Sequence, residues 1–175
     1  MIKTSFVAVA MSSALALLTV DASAAGTTKN APRIDAAPVA AAVPIPLPST
    51  EIQTILVKNA LIGLNQANLA NDYSVFLKNT SVPFQRANMG DKLSNSFKAF
   101  RDNRIDLSPI VLFTPRWKSA PAYQNGALHL IGVIPSSPLQ TSFDMLFVPE
   151  GGRWRIAGLS VGLEPAATAT QPASR

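Results

Sequence analysis

The chain predicts an α+β fold, with N-terminal helices packed on a curved antiparallel four-stranded meander. Three observations carry this. Apolar residues recur at helical spacing from residue 50 to about residue 100. The period changes to alternation after Asp106. Turn signals then arrive regularly, at Asn125-Gly126, Pro135-Ser136-Ser137-Pro138 and Pro149-Glu150-Gly151-Gly152.

The helical half opens with Thr50-Glu51-Ile52-Gln53, a capping-box pattern that starts a long helix ending near Asn71. Thr54, Lys58, Asn65, Asn68 and Asp72 mark its polar side, interrupted by Leu61. Ile52, Ile55, Leu56, Gly63, Ala67 and Ala70 form the side expected to pack. A shorter helix covers Tyr73 to Lys78, and Pro83 blocks its continuation. A third starts near Asn88, with Asn88 and Asp91 as cap and N3 partner, and carries Leu93, Phe97 and Phe100 on one face. Strands are expected near 109–119, 127–134, 139–148 and 153–163. In the third, Phe143, Met145 and Phe147 share one face while Ser142, Asp144 and Leu146 share the other. Asn125-Gly126 and Gly151-Gly152 suit type I′ hairpins, because these residues tolerate positive φ.

The flanks carry an address and a spacer. Lys3, an apolar run from Phe6 to Val20 and Ala22-Ser23-Ala24 predict a signal peptide over residues 1–24, cleaved near Ala24. Its removal takes away one cation, Lys3, and one anion, Asp21, so the formal charge of +5 stays with the mature chain. Residues 25–48 form an Ala/Pro-rich linker whose prolines at 32, 38, 44, 46 and 48 favour extended polyproline II. One domain follows over 49–165, then a disordered tail over 166–175. Cysteine is absent, which excludes disulfides, thiolate metal sites and a cysteine nucleophile. Secretion without disulfides points to a bacterial envelope, so the expected location is periplasmic or secreted. No apolar run after the signal reaches the roughly 20 residues of a membrane span.

The meander ends in Phe143-Asp144-Met145-Leu146-Phe147-Val148 and then Gly152-Arg153-Trp154-Arg155-Ile156-Ala157-Gly158. With three helices before it, this resembles the nuclear transport factor 2-like (cystatin-like, SnoaL-like) superfamily, where such a hairpin forms the central strands of a bent sheet. Ile105-Asp106-Leu107-Ser108-Pro109 is similar to the sheet entry of a group of secreted bacterial members. The resemblance implies a cone-shaped, cystatin-like domain of about 110 residues holding an apolar pocket. It implies no single activity, because the cone hosts isomerases, dehydratases, hydrolases and binding or dimerisation modules.

Candidate chemistry is sparse. Family isomerases and dehydratases place an aspartate or histidine deep in the cone against a tyrosine or second acid. His129, the one histidine, alternates with Leu128 and Leu130; facing inward it would be a general base, facing outward a solvated strand residue. An inward His129 beside Tyr73 or Tyr123 would favour chemistry. Asp144 is expected to be exposed or paired with a cross-strand arginine, and Asp72 to be a surface or cap residue. No metal or cofactor is expected, since neither ligand spacing nor a phosphate-cradling loop occurs. Arg101, Arg104, Arg116, Trp117, Lys118, Arg153, Trp154 and Arg155 form either a basic, aromatic-flanked patch or a solvated sheet face, and the latter is preferred. Tyr73, Phe76, Phe97, Phe143, Phe147 and Trp154 are candidate pocket-lining residues and, more simply, core. The expectation is a non-enzymatic module that binds an apolar small molecule or an envelope protein, not nucleic acid. The alternatives are a small acid–base enzyme using His129 and a homodimer assembled through the outer sheet face.

Overall fold

Ser49, one residue before the expected cap, starts the first helix. Its hydroxyl accepts from Ile52 N at 3.4 Å, and Gln53 Nε2 reaches back to Pro48 O at 2.8 Å. The computed structural model describes residues 6–9, 46–89 and 91–166. The expected cleavage site, most of the linker and residues 167–175 of the tail lie outside the described residues. Within them the protein is α+β: a short strand β1 (Phe6–Val9), helices α1 (Thr50–Ala70), α2 (Ser74–Lys78), α3 (Val82–Ala87), α4 (Lys92–Ser96) and α5 (Lys98–Asp102), then a 3₁₀ helix (Ser108–Leu112) and strands β2 (Arg116–Trp117), β3 (Ala122–Gln124), β4 (Ala127–Ile134), β5 (Leu139–Glu150) and β6 (Arg153–Pro165).

The buried face of α1 matches the periodicity only in part: Ala67 is buried and Leu56 packs against the core as expected, but Val57, Ala60, Leu61 and Leu64 are buried together with Gln53, Asn65 and Asn68, and Ile52, Ile55 and Ala70 are exposed. Leu61, which broke the polar stripe, sits in the middle of the packing face. Asn65 can be buried because both ends of its amide have partners, whereas Asn68 is paired through its oxygen alone, as described below.

α2 stops at Lys78, well before Pro83, and Pro83 belongs to a helix of its own. α3 starts with Ser81 as cap, its hydroxyl accepting from Phe84 N at 3.4 Å, and Pro83 lies in the first turn, where a missing N–H costs nothing. Asn88 is therefore the end of α3 and not the start of the next helix; its Nδ2 donates to Phe84 O at 2.9 Å. The expected third helix is two short ones, α4 and α5, meeting at Phe97, with Leu93, Phe97 and Phe100 buried as the spacing required.

The sheet is antiparallel in the order β1-β6-β5-β4-β2, and β3 pairs with the other end of β4. The strand expected over 109–119 starts instead as a 3₁₀ helix that runs to Leu112, and only Arg116–Trp117 joins the sheet. Pro109 fixes φ and offers no ladder donor, and Ser108 is held in a turn by Asp106. Asn125 and Gly126 both adopt positive φ, as do Gly151 and Gly152, which matches the two hairpins expected. A register shift between Leu146 and Phe147 leaves Ala157 as an extra residue on β6, a bulge that strengthens local twist. On the helix-facing side Leu128, Leu130, Phe143, Met145, Phe147, Leu159 and Val161 meet α1 to α5 in one core.

Candidate functional site

The segment Ile105 to Phe113 and the β4–β5 connection form the two walls of a cleft at one end of the helix-facing side of the sheet. The first wall is built by hydrogen bonds. Asp106 Oδ1 accepts from Ser108 N at 2.8 Å and Ser108 Oγ at 2.7 Å, folding the chain into a tight turn that starts the 3₁₀ helix. From α1, Asn65 Nδ2 donates to Asp106 Oδ1 at 2.9 Å and to Ser108 Oγ at 3.1 Å, while Asn65 Oδ1 accepts from Leu107 N at 2.9 Å. One buried amide thus ties the sheet entry to the central helix. With the turn fixed, Leu107 and Ile110 point into the core and Phe113 lies half-buried at its margin.

The second wall comes from Ser136–Leu139 and from the paired residues Thr141 and Leu163. Ser136 Oγ donates to Leu139 O at 2.5 Å, and the Ser137–Pro138 peptide is cis. The cleft encloses ≈ 350 Å³, and Ile105, Ile110, Phe113, Pro138, Leu139 and Leu163 supply most of its apolar wall. Arg104 and Asp106 stand at its rim. The hydrogen bonds from Ser108 and Asn65 hold the Asp106 carboxyl below its ordinary value of 3.8, so it is an ionised, occupied acceptor. A cavity of this size and lining suits a small, mainly apolar molecule.

His129 lies on the opposite side of the sheet. Leu128 and Leu130 are fully buried, and the His129 side chain between them is 41% exposed, with Nε2 2.6 Å from Asp144 Oδ1. Asp144 is exposed as expected, but its partner is the histidine and not an arginine. His129 borders a shallow outer depression of ≈ 470 Å³ with Ala122, Ala127 and Leu146. Neither Tyr73 nor Tyr123 shares this surface: Tyr73 is in the helical layer, and Tyr123 packs edge-to-face on Trp154, ring centroids 6.1 Å apart.

Tyr73 belongs to a second polar cluster. Its hydroxyl donates to Asn68 Oδ1 and accepts from Arg101 Nη1 at 2.7 Å, and the Arg101 guanidinium lies 5.9 Å from the ring centroid. Arg101 Nη2 also donates to Ser94 O at 2.7 Å and Ser94 Oγ at 3.0 Å, linking α2, α4 and α5. Burial raises the Tyr73 hydroxyl above its ordinary value of 10.0, against the lowering pull of Arg101. Asn68 Nδ2 is buried with no hydrogen-bond partner. Asp72 caps α2 by accepting from Ser74 N at 2.8 Å.

The aromatic candidates are placed as core. Phe76, Phe97, Phe143 and Phe147 are buried along with Tyr73, and Trp154 is half-buried against them. The basic residues do not form one patch: Arg101 is engaged at Tyr73, Arg155 Nη1 donates to Lys78 O at 2.8 Å, and Lys118 pairs with Glu164 at 2.9 Å. Among the described residues no group of three or more His, Asp or Glu side chains converges as metal ligands, and no helix is long and apolar enough to cross a membrane. Sequence reasoning missed Asn65. Its signal was present, since it follows Leu61 by one helical turn and cannot share Leu61's buried face without a partner. No family model, curated protein or solved structure matches this chain.

Proposed function

We propose that the chain is a secreted or periplasmic, non-enzymatic binding module with the cone-shaped, cystatin-like architecture of the nuclear transport factor 2-like superfamily, and that it holds a small apolar molecule in the cleft between the 3₁₀ helix and the β4–β5 connection. The observation that carries this reading is the cleft itself. It is ≈ 350 Å³, walled by aliphatic and aromatic side chains, and its one carboxylate is already committed to Ser108 and Asn65. The acid–base alternative needs a titrating group inside the cone, and His129 stands on the outer face.

Native mass spectrometry of protein expressed with its own leader and recovered gently from the envelope tests the reading. A retained extra mass is expected, lost in Leu139→Glu, which sets a carboxylate at the half-buried mouth, while the unfolding free energy from urea denaturation stays within about 0.5 kcal/mol of the parent. A clean unliganded mass in both proteins, or an extra mass unaffected by the substitution, overturns it. The same spectrum reports oligomeric state, and an unliganded dimer would favour the assembly alternative.

A further inference from the structure

Among the described residues β6 is the longest strand, and its edge away from β5 is covered by two separate pieces of chain. At its start Ser81 N donates to Ile156 O at 2.8 Å, Thr80 forms an isolated parallel bridge to Ile156, and Arg155 holds Lys78 O. Farther along, the cover is β1: Phe6 lies opposite Gly162, Val7 opposite Val161, Ala8 opposite Ser160 and Val9 opposite Leu159. β1 also runs beside α4. The result is a slot one strand wide, bounded by β6, by α4 and by the chain at Thr80–Ser81.

The occupant of that slot falls inside residues 1–24, the segment read as a removable leader. Cleavage near Ala24 would take away β1 and its half of the ladder, leaving the backbone groups of Leu159–Gly162 that point away from β5 open to an added strand. What fits is set by what fits now: four residues, extended, antiparallel, uncharged, apolar and free of proline. An incoming strand must also fit beside α4, which β1 approaches. The chain's own linker offers one proline-free apolar run, Val39–Val43 between Pro38 and Pro44, and self-occupation by that run is the competing outcome the test must exclude.

We propose that the edge of β6 at Leu159–Gly162 is a strand-acceptor slot for an extended apolar segment of a partner protein, held shut by Phe6–Val9 in the uncleaved chain and opened when the leader is removed. This rests on the leader reading and is independent of the cleft.

Hydrogen exchange on the full chain and on the chain beginning at Ala25, which contains every helix and every strand except β1, tests it. The probe is a synthetic peptide with the sequence of Ser5–Ala10, flanked by lysines for solubility. Those amides of Leu159–Gly162 that point away from β5 are expected to exchange about tenfold or more faster in the shorter chain, and to recover when the peptide is added, while those bonded to β5 stay protected in both. A peptide carrying Val7→Pro should give no recovery, and the full chain should not bind the parent peptide. The proposal is overturned if the peptide gives no protection, or if the full chain binds it as well as the shorter one does. It is also overturned if the shorter chain protects these amides unaided, as a monomer through its own linker or as a dimer through a second copy. N-terminal sequencing of the envelope form supplies the last arm: a chain that keeps Phe6–Val9 keeps its slot shut, and the proposal fails.

Discussion

Asn65 makes three hydrogen bonds to a segment more than forty residues away in sequence, and it is 2% exposed. Asn65→Ala would strand the Leu107 N–H in the interior, so a loss of about 2–3 kcal/mol is expected in urea denaturation. Asp106 adds a pH dependence. Its carboxyl is depressed in the folded state, chiefly by Ser108, so its stabilisation is complete above its ordinary value of 3.8 and is lost as pH falls through the depressed value. Asp106→Ala should therefore flatten the acid limb of stability measured below about pH 4, where the parent declines. Tyr73→Phe removes the hydroxyl that serves both Asn68 and Arg101; a loss of about 1–3 kcal/mol is expected, and the parent should show a tyrosine absorbance transition displaced upward that the variant lacks. At this scale the sequence was partly misleading. Asparagine reads as polar and therefore as surface, and only a partner far along the chain makes its burial affordable.

At the scale of the element, local chemistry was the better guide. Both type I′ turns and the extent of β4 follow from residues that tolerate positive φ and from strict alternation, and both are seen. Short helices were harder to read. α3 exists because Pro83 is favourable in a first turn, and the same proline, read only as a terminator, hides it. The 3₁₀ helix replaces the front of an expected strand because Ser108-Pro109 follows an aspartate able to fold the turn. β2 depends on one glycine. A Cβ at Gly132 would run into the Arg116 carbonyl and stand 2.7 Å from Phe143 Cζ, so Gly132→Ala should push β2 off β4 at a cost of about 1–3 kcal/mol. Faster exchange at Trp117 and Lys118, whose amide donates to Ile131 O at 2.9 Å, would report that displacement; unchanged exchange there would show that the strand tolerates a methyl group.

For the whole molecule, the class and the order helices-then-meander were legible because they depend on a change of hydrophobic period that no single residue can disguise. The cleft was not, because its walls come from segments separated in sequence and its aromatic content is small. The residues that looked most like a pocket, Phe76, Phe97, Phe143 and Phe147, are the closed core.

The two borders of the sheet share one design. β2 and β3 each cover part of β4, while the Thr80–Ser81 bridge and β1 each cover part of β6. A full-length bare strand would offer an unbroken template to any extended polypeptide, including partly unfolded copies of the same protein. Borders closed in short pieces deny fibrils a seed of useful length, since an incoming chain finds no more than a few consecutive ladder groups before meeting a turn or a helix. Solubility at high concentration would then depend less on net charge than on those patches staying in place. A variant that strips β2 while leaving β4 intact should therefore aggregate more readily than the parent at equal concentration.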